Sequence, residues 1–303
     1  MRPFAVIRAL IALTLASCGD SPSAPMFGTP AIMLILEAPT QTGIAGQPAP
    51  ALPAVVVLDA ENKPVGGVTV TFAVGPDGGS VTVPSATTDS RGKATPGSWT
   101  LGATFGSKTL TATTAGVAPV EFNATAIAPD AGVQAFLISD AAGDTIPTSA
   151  SGFMKAHDVV SVRGEFKRDS LIVTFTFTGP VGPISAGGPA AVGGYLEFDT
   201  DESGATGIVP SGNAFGGSAG LGVDYQVNLF DATSSSAALR AISTGANASV
   251  AASFAGNSIV LRIPMRLLGN DDGRFAVVGI LGTIERPTDL FPNTGGGTAR
   301  PGG

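Results

Sequence analysis

The 303 residues include 42 Gly and 23 Pro but one Cys, one His and one Trp, and 16 Lys and Arg stand against 23 Asp and Glu for a formal charge of −7. A single Cys and a single His exclude an intramolecular disulfide and the usual cysteine or multi-histidine metal centres, and the acidic balance leaves no basic footprint for nucleic acid. With 44% hydrophobic residues the chain can still bury a core, and its length suits more than one domain.

Arg2 and Arg8 precede an uncharged apolar run, Ala9 to Ala16. It is much shorter than the ~20 residues that span a bilayer, so residues 1–17 read as a signal peptide. The run ends Leu15-Ala16-Ser17-Cys18, which resembles the lipobox of bacterial lipoprotein precursors. The resemblance implies that Cys18 receives diacylglycerol and becomes the mature N-terminus, with residues 18–29 as a polar tether. Gly19 rather than Asp follows the cysteine, which implies a cell-envelope protein sorted to the outer membrane. Acyl chains contribute about 0.8 kcal/mol per buried CH₂, so such an anchor needs no transmembrane helix.

After residue 30 the period is two, not 3.6. Val68, Val70, Phe72 and Val74 alternate with Thr69, Thr71 and Ala73, as expected of strands with one buried face. Turn signals fall between such runs at Glu61 to Pro64, Pro76 to Gly79 and Asp89 to Gly92, where Gly admits φ > 0. Trp99 reads as a core anchor between two sheets, rather than a surface platform for a sugar. Val55 to Asp59, Pro64 to Phe72, Thr88 to Ala94 and Gly106 to Ala112 together resemble the bacterial immunoglobulin-like domain of the invasin and intimin type. That resemblance covers residues 30–128 and implies a spacer, stalk or adhesion module.

Ala126 to Gly132 reads as a linker into a second unit, residues 129–290. Nine strands are expected there: Val133 to Ile138, Val159 to Glu165, Leu171 to Thr178, Gly194 to Asp199, Val223 to Phe230, Ala237 to Ile242, Ser249 to Phe254, Ser258 to Ile263 and Arg274 to Leu281. Their number and spacing suggest a jelly-roll-like antiparallel sandwich, making the whole chain all-β. The run from Gly194 to Asp201, a Gly-rich excursion and then Gly222 to Tyr225 loosely resemble the β-sandwiches of family 9 carbohydrate-binding modules and related sensor-type domains. Residues 291–303 are Gly-rich and read as a flexible tail.

Asp199, Asp201 and Ser203, followed by Gly204, match the first half of a calcium loop, with oxygen ligands at alternate positions and Gly at the sharp turn. The second half departs from that pattern, because Pro210 stands where a bidentate Glu is needed. A Ca²⁺ site would therefore borrow Asp224 or Asp289; the bland reading is an acidic turn. Asp224, Gln226 and Asn228 are expected on the solvated side of a strand whose other side is Val223, Tyr225, Val227 and Leu229. His157, beside Asp158 and near Met154, reads as a turn residue rather than a haem ligand. No Gly-x-Ser-x-Gly elbow is present, and few Glu are available for a paired-carboxylate hydrolase. The expected function is a non-catalytic envelope lipoprotein in which an immunoglobulin-like stalk presents the second sandwich for adhesion or extracellular polymer binding, with a carbohydrate or a cell-surface protein as partner. The alternatives are a carbohydrate-binding accessory protein, with Tyr195 or Tyr225 as contact aromatics, and an acidic-residue hydrolase.

Overall fold

The computed structural model describes residues 28–143, 146, 157–215, 220–284, 287–293 and 296–300. Cys18, the leader, most of the tether and Met154 lie outside the described residues. The fold is all-β, and no helix among the described residues is long and apolar enough to cross a membrane.

The first sandwich faces two sheets across one core. One sheet orders β1 (Ile32–Glu37), β3 (Ala54–Leu58) and β7 (Lys93–Ala94). The other orders β2 (Thr40–Ile44), β10 (Val117–Ile127), β9 (Gly106–Thr114), β4 (Thr69–Val74) and β6 (Ser85–Thr87). Strand β10 runs parallel to β2 and antiparallel to β9. The alternation expected of β4 is present: Val70 and Phe72 are buried, Thr69 and Thr71 exposed. A short ribbon of β5 (Ser80–Val81) and β8 (Trp99–Thr100) completes the unit. Trp99 is fully buried and its indole N–H donates to the Gly78 carbonyl at 2.8 Å, so the ring fills the core while its polar edge fixes the Pro76 to Gly79 turn. In the Asp89 turn Gly92 sits at φ 70°, and a Cβ there would lie 2.5 Å from the Val57 carbonyl oxygen.

The second unit is one continuous sheet. Its path is β11 (Val133–Ser139), β12 (Val159–Lys167), β13 (Ser170–Phe177), β19 (Ser258–Pro264), β18 (Asn247–Ala255), β17 (Ser236–Ala241), β16 (Tyr225–Asn228), β15 (Ala191–Asp199), β20 (Phe275–Gly282) and β21 (Pro287–Phe291). Strand β14 (Gly182–Pro183) adds to β15 and β22 (Gly297–Ala299) to β20. All nine expected strands are present. The sheet curls into two layers and nearly closes, with the Arg300 N–H donating to the Ala135 carbonyl at 3.3 Å. Phe275 sits at the centre of this core, edge-on to Phe166, Phe198 and Phe136 at 6.1, 5.5 and 6.4 Å.

The tail departs from expectation. Phe291 is fully buried and Gly297–Ala299 pairs with β20, so part of the segment read as flexible belongs to the sheet. Backbone pairing needs no apolar side chain, which is why a Gly-rich composition misleads here.

The two units share a packed junction. Phe105, on the loop between β8 and β9, enters the second core, and its N–H donates to the Asp272 carbonyl at 3.1 Å. The buried Lys108 ammonium donates to the Phe105 carbonyl at 3.1 Å and to Thr104 Oγ1 at 2.6 Å, holding that loop in place. Burial pushes the Lys108 pKa down, and Asp77 and Asp272 oppose that shift. A cavity of about 360 Å³ lies at the same junction, lined by Phe105, Ile127, Arg168 and Met265 among others.

Candidate functional site

Strand β15 places alternate side chains on opposite faces. Leu196 and Phe198 point into the core; Tyr195, Glu197 and Asp199 form a row on the outer face. Their partners on β16 are Asn228 for Tyr195 and Gln226 for Glu197, and on β20 Ile280, Val278 and Ala276 for Tyr195, Glu197 and Asp199 in turn. This outer face is not solvated in its middle, because Ser211, on the connection between β15 and β16, lies over Glu197.

Two buried carboxylates fasten that connection. Glu197, fully buried, accepts the Ser211 N–H at 2.9 Å, the Ser211 hydroxyl at 2.5 Å and the Gln226 amide at 2.7 Å. Asp199, only 2% exposed, accepts the N–H groups of Ser203 at 3.0 Å and Gly222 at 3.1 Å. A buried carboxylate is tolerated when its lone pairs are met in this way. The expectation of a wet Asp224, Gln226 and Asn228 face therefore needs correction: all three are only partly exposed, and Gln226 joins the buried network. The opposite side behaves as expected for Val223, Val227 and Leu229, which are buried.

At one end of the row, Asp199, Asp201 and Asp224 each bring a carboxylate oxygen within 4.8 Å of the others. Burial raises the Asp199 pKa, and Asp224 and Asp201 push the same way, while the Gly222 and Ser203 amides oppose. Asp224 also accepts the Thr200 N–H and hydroxyl at 2.8 and 2.9 Å, and Asp201 the Thr206 hydroxyl at 2.7 Å. Ser203 contributes its backbone N–H to Asp199 and Asp201, while its hydroxyl accepts the Ala205 N–H at 3.4 Å. Three carboxylates could supply part of the six to eight oxygens that calcium takes. Asp289 does not join them. It pairs with Leu281 on β20, whereas Asp199 faces Ala276 at that strand's other end.

At the other end lies a groove of about 260 Å³, lined by Tyr195, Ser211, Phe230, Ile280, Leu281, Ile284 and their neighbours. The Tyr195 and Phe230 rings meet at 69° with centroids 5.4 Å apart. A Cβ on Gly193 would run into the Phe230 ring, so glycine there lets the ring lie against the sheet. Tyr225, the other aromatic expected to be a contact residue, packs against the large core instead.

Asp289 and His157 both lie inside the fold. Asp289, 1% exposed, accepts the Val159 N–H at 2.6 Å and the Leu290 N–H at 2.9 Å. Burial pushes its pKa up to about 7, with Asp140 and Asp158 adding to the shift. His157 is 1% exposed, and burial pushes its pKa down. The Pro189 and Ala190 carbonyls pull it partly back without reaching hydrogen-bond geometry.

Sequence reasoning did not single out Ser211, Phe230 or Ile284, nor the burial of Glu197. One signal was present for Glu197: two acids at alternate positions of a strand whose other face is apolar need partners if anything covers them.

No family model matches the sequence, and no curated protein matches it. Among solved structures, the adhesin InvE of Yersinia pseudotuberculosis matches with a TM-score of 0.29 and 13% identity, over 85% of this chain and 57% of that one. The Escherichia coli adhesin FdeC matches with a TM-score of 0.27 and 12% identity, over 87% and 63%. This chain thus spans less than two thirds of either neighbour. The likeness is distant, and the fold described above rests on the strand pairings themselves.

Proposed function

We propose that this protein is a non-catalytic cell-envelope lipoprotein, held by acyl chains on Cys18, whose immunoglobulin-like first sandwich presents the second sandwich to an extracellular polymer or surface. The observation that carries this reading is the junction: Phe105 is buried in the second core, so the unit next to the tether and the unit beyond it move together. A stalk needs that stiffness, since a flexible linker would let the presented domain fold back on the membrane. The second sandwich's buried carboxylates fit a binding role. Glu197, Asp199 and Asp289 are committed to backbone and side-chain donors, which suits bracing better than acid-base chemistry.

In the same reading a calcium ion sits among Asp199, Asp201 and Asp224 and braces the connection across β15. The alternative, a carbohydrate-binding accessory protein, shares this architecture and differs only in what it serves.

The test is adherence of intact cells to surfaces coated with polysaccharide or cell-surface protein. Cells carrying the wild-type chain should be retained on at least one coating, and cells lacking the chain or carrying Cys18→Ala should be retained several-fold less. Equal retention of all three would overturn the proposal.

A further inference from the structure

The two sheets of the first sandwich differ in what they turn outward. On the five-stranded sheet Thr69 stands opposite Thr87 and Thr71 opposite Thr113, all four exposed, the polar surface expected of a sheet that meets water. The three-stranded sheet turns Met33, Val55 and Val57 into the core, yet its outer face is apolar as well. There Ile32 stands opposite Leu58 and Leu34 opposite Val56, and Leu36 lies at the bulge before Glu37. With all described residues in place, Leu34 remains 49% exposed and Leu36 50%.

Charge and direction name the occupant of that face. Lys93, opposite Val56 on β7, is held by Glu37 at 3.1 Å, so the face is neutral in a chain of formal charge −7, and two copies can approach here without repulsion. Strand β1 follows Gly28 and leads into β2, which ends at the junction, with the Ala45 N–H donating to the Ile127 carbonyl at 3.0 Å. The strands therefore run from the tether toward the second sandwich, and the apolar face looks sideways. Copies anchored in one membrane share that direction, so their side faces are what they turn to one another. Six residues of β1 and two strand spacings make a face of about 20 by 10 Å, far short of the ~800 Å² per partner of a stable interface. Pairing on so small an area needs the high effective concentration of copies held in one plane.

We propose that two copies of this chain, anchored side by side in one membrane, pack the outer faces of β1 and β3 against each other about a two-fold axis along the stalk. This rests on the reading of the first sandwich as a lipid-anchored stalk and gives that stalk a partner. Such an axis keeps both second sandwiches on the same side of the membrane and closes the assembly at two. It also brings each residue level with its own counterpart, so that Leu34 meets Leu34 of the second copy.

The experiment is cross-linking of the full chain on intact cells with a bismaleimide about 10 Å long, the spacing of packed sheets. Leu34→Cys should give a dimer of the chain, and Thr71→Cys, exposed on the other sheet, at least fivefold less. Wild type, its thiol taken by lipid, should give none. Adding Leu36→Asp, at a position already half exposed, to Leu34→Cys should cut the dimer at least fivefold, because it sets two carboxylates against each other. No dimer from Leu34→Cys, as much from wild type or Thr71→Cys, a dimer indifferent to Leu36→Asp, or a cross-link from Leu34→Cys to a different protein would overturn the pairing. The purified chain with Cys18→Ala and Leu34→Cys, which carries no lipid, separates this proposal from the anchor it rests on, and at millimolar concentration it should form the same dimer. That dimer, with no palmitate on wild type, keeps the face and sinks the anchor. Palmitate on wild type with no dimer from Leu34→Cys sinks the face and leaves the anchor standing.

Discussion

The Phe105 ring meets the Phe166 ring edge-on with centroids 4.8 Å apart, although one belongs to the first sandwich and the other to the second. Phe105 is 6% exposed, so the contact is a core contact that happens to cross between units. Truncating a buried Phe typically costs about 3–5 kcal/mol, and here that loss falls on the coupling between the units. Wild type should melt in one calorimetric transition, and Phe105→Ala should split it into two. A single transition in the variant, at the wild-type temperature, would show that the ring does not couple the cores.

Glu197 receives three hydrogen bonds from Ser211 and Gln226 at the centre of the covered face. Hydrogen bonds to a charged group contribute about 1.5–3 kcal/mol each, and partners left without one stay desolvated. Glu197→Ala should therefore cost about 3 kcal/mol or more and make the connection between β15 and β16 a site of limited proteolysis. Cleavage elsewhere, or none, would mean that the connection is held by other contacts.

Calcium bound to the folded chain alone raises stability by RT ln(1 + [L]/Kd), about 2.7 kcal/mol at a hundredfold excess over Kd. Chelator should lower the wild-type melting temperature by several degrees, and added calcium should restore it. Asp201→Ala should melt at one temperature in both conditions. A wild-type melting temperature indifferent to chelator would return the triad to an acidic turn held by its own amides.

Two carboxylates favour the folded chain at low pH. Burial pushes both Asp289 and Asp271 up to about 7, from 3.8 when unfolded. Between those values the folded chain binds more protons at these two groups than the unfolded one, so their contribution to stability falls as pH rises from about 4 to about 7 and then levels, while His157, lowered by burial, contributes a change of the opposite sign. Asp289→Asn removes one of these titrations but also an acceptor. The variant should be less stable than wild type at pH 5 and more stable at pH 8, measured by urea titration in chelator. Parallel pH profiles for the two would contradict the assignment.

The strands were legible because their alternation was strict: Val70 and Phe72 face inward and Thr69 and Thr71 outward with little ambiguity. Trp99 was legible for a related reason, since a small sandwich has few other places for so large a ring. Phe105 was not, because it lies in a loop with no period, and nothing local says that its pocket is built by residues such as Phe166. The acidic loop was half legible: the spacing of Asp199 and Asp201 is local, whereas the choice of Asp224 over Asp289 depends on how β16 and β21 flank the sheet. The groove escaped entirely. Tyr195 stood out as an aromatic, but Ser211 and Ile284 reach it from separate connections that only the fold brings together.

Anchored presentation is the claim on which the functional account stands, and palmitate labelling of intact cells, followed by antibody detection of the second sandwich, tests it most directly. Wild type should carry label and be reached by antibody from outside the cell; Cys18→Ala should carry none and leave the envelope fraction. An unlabelled wild-type chain, or a labelled chain whose second sandwich cannot be reached from outside, would contradict the account.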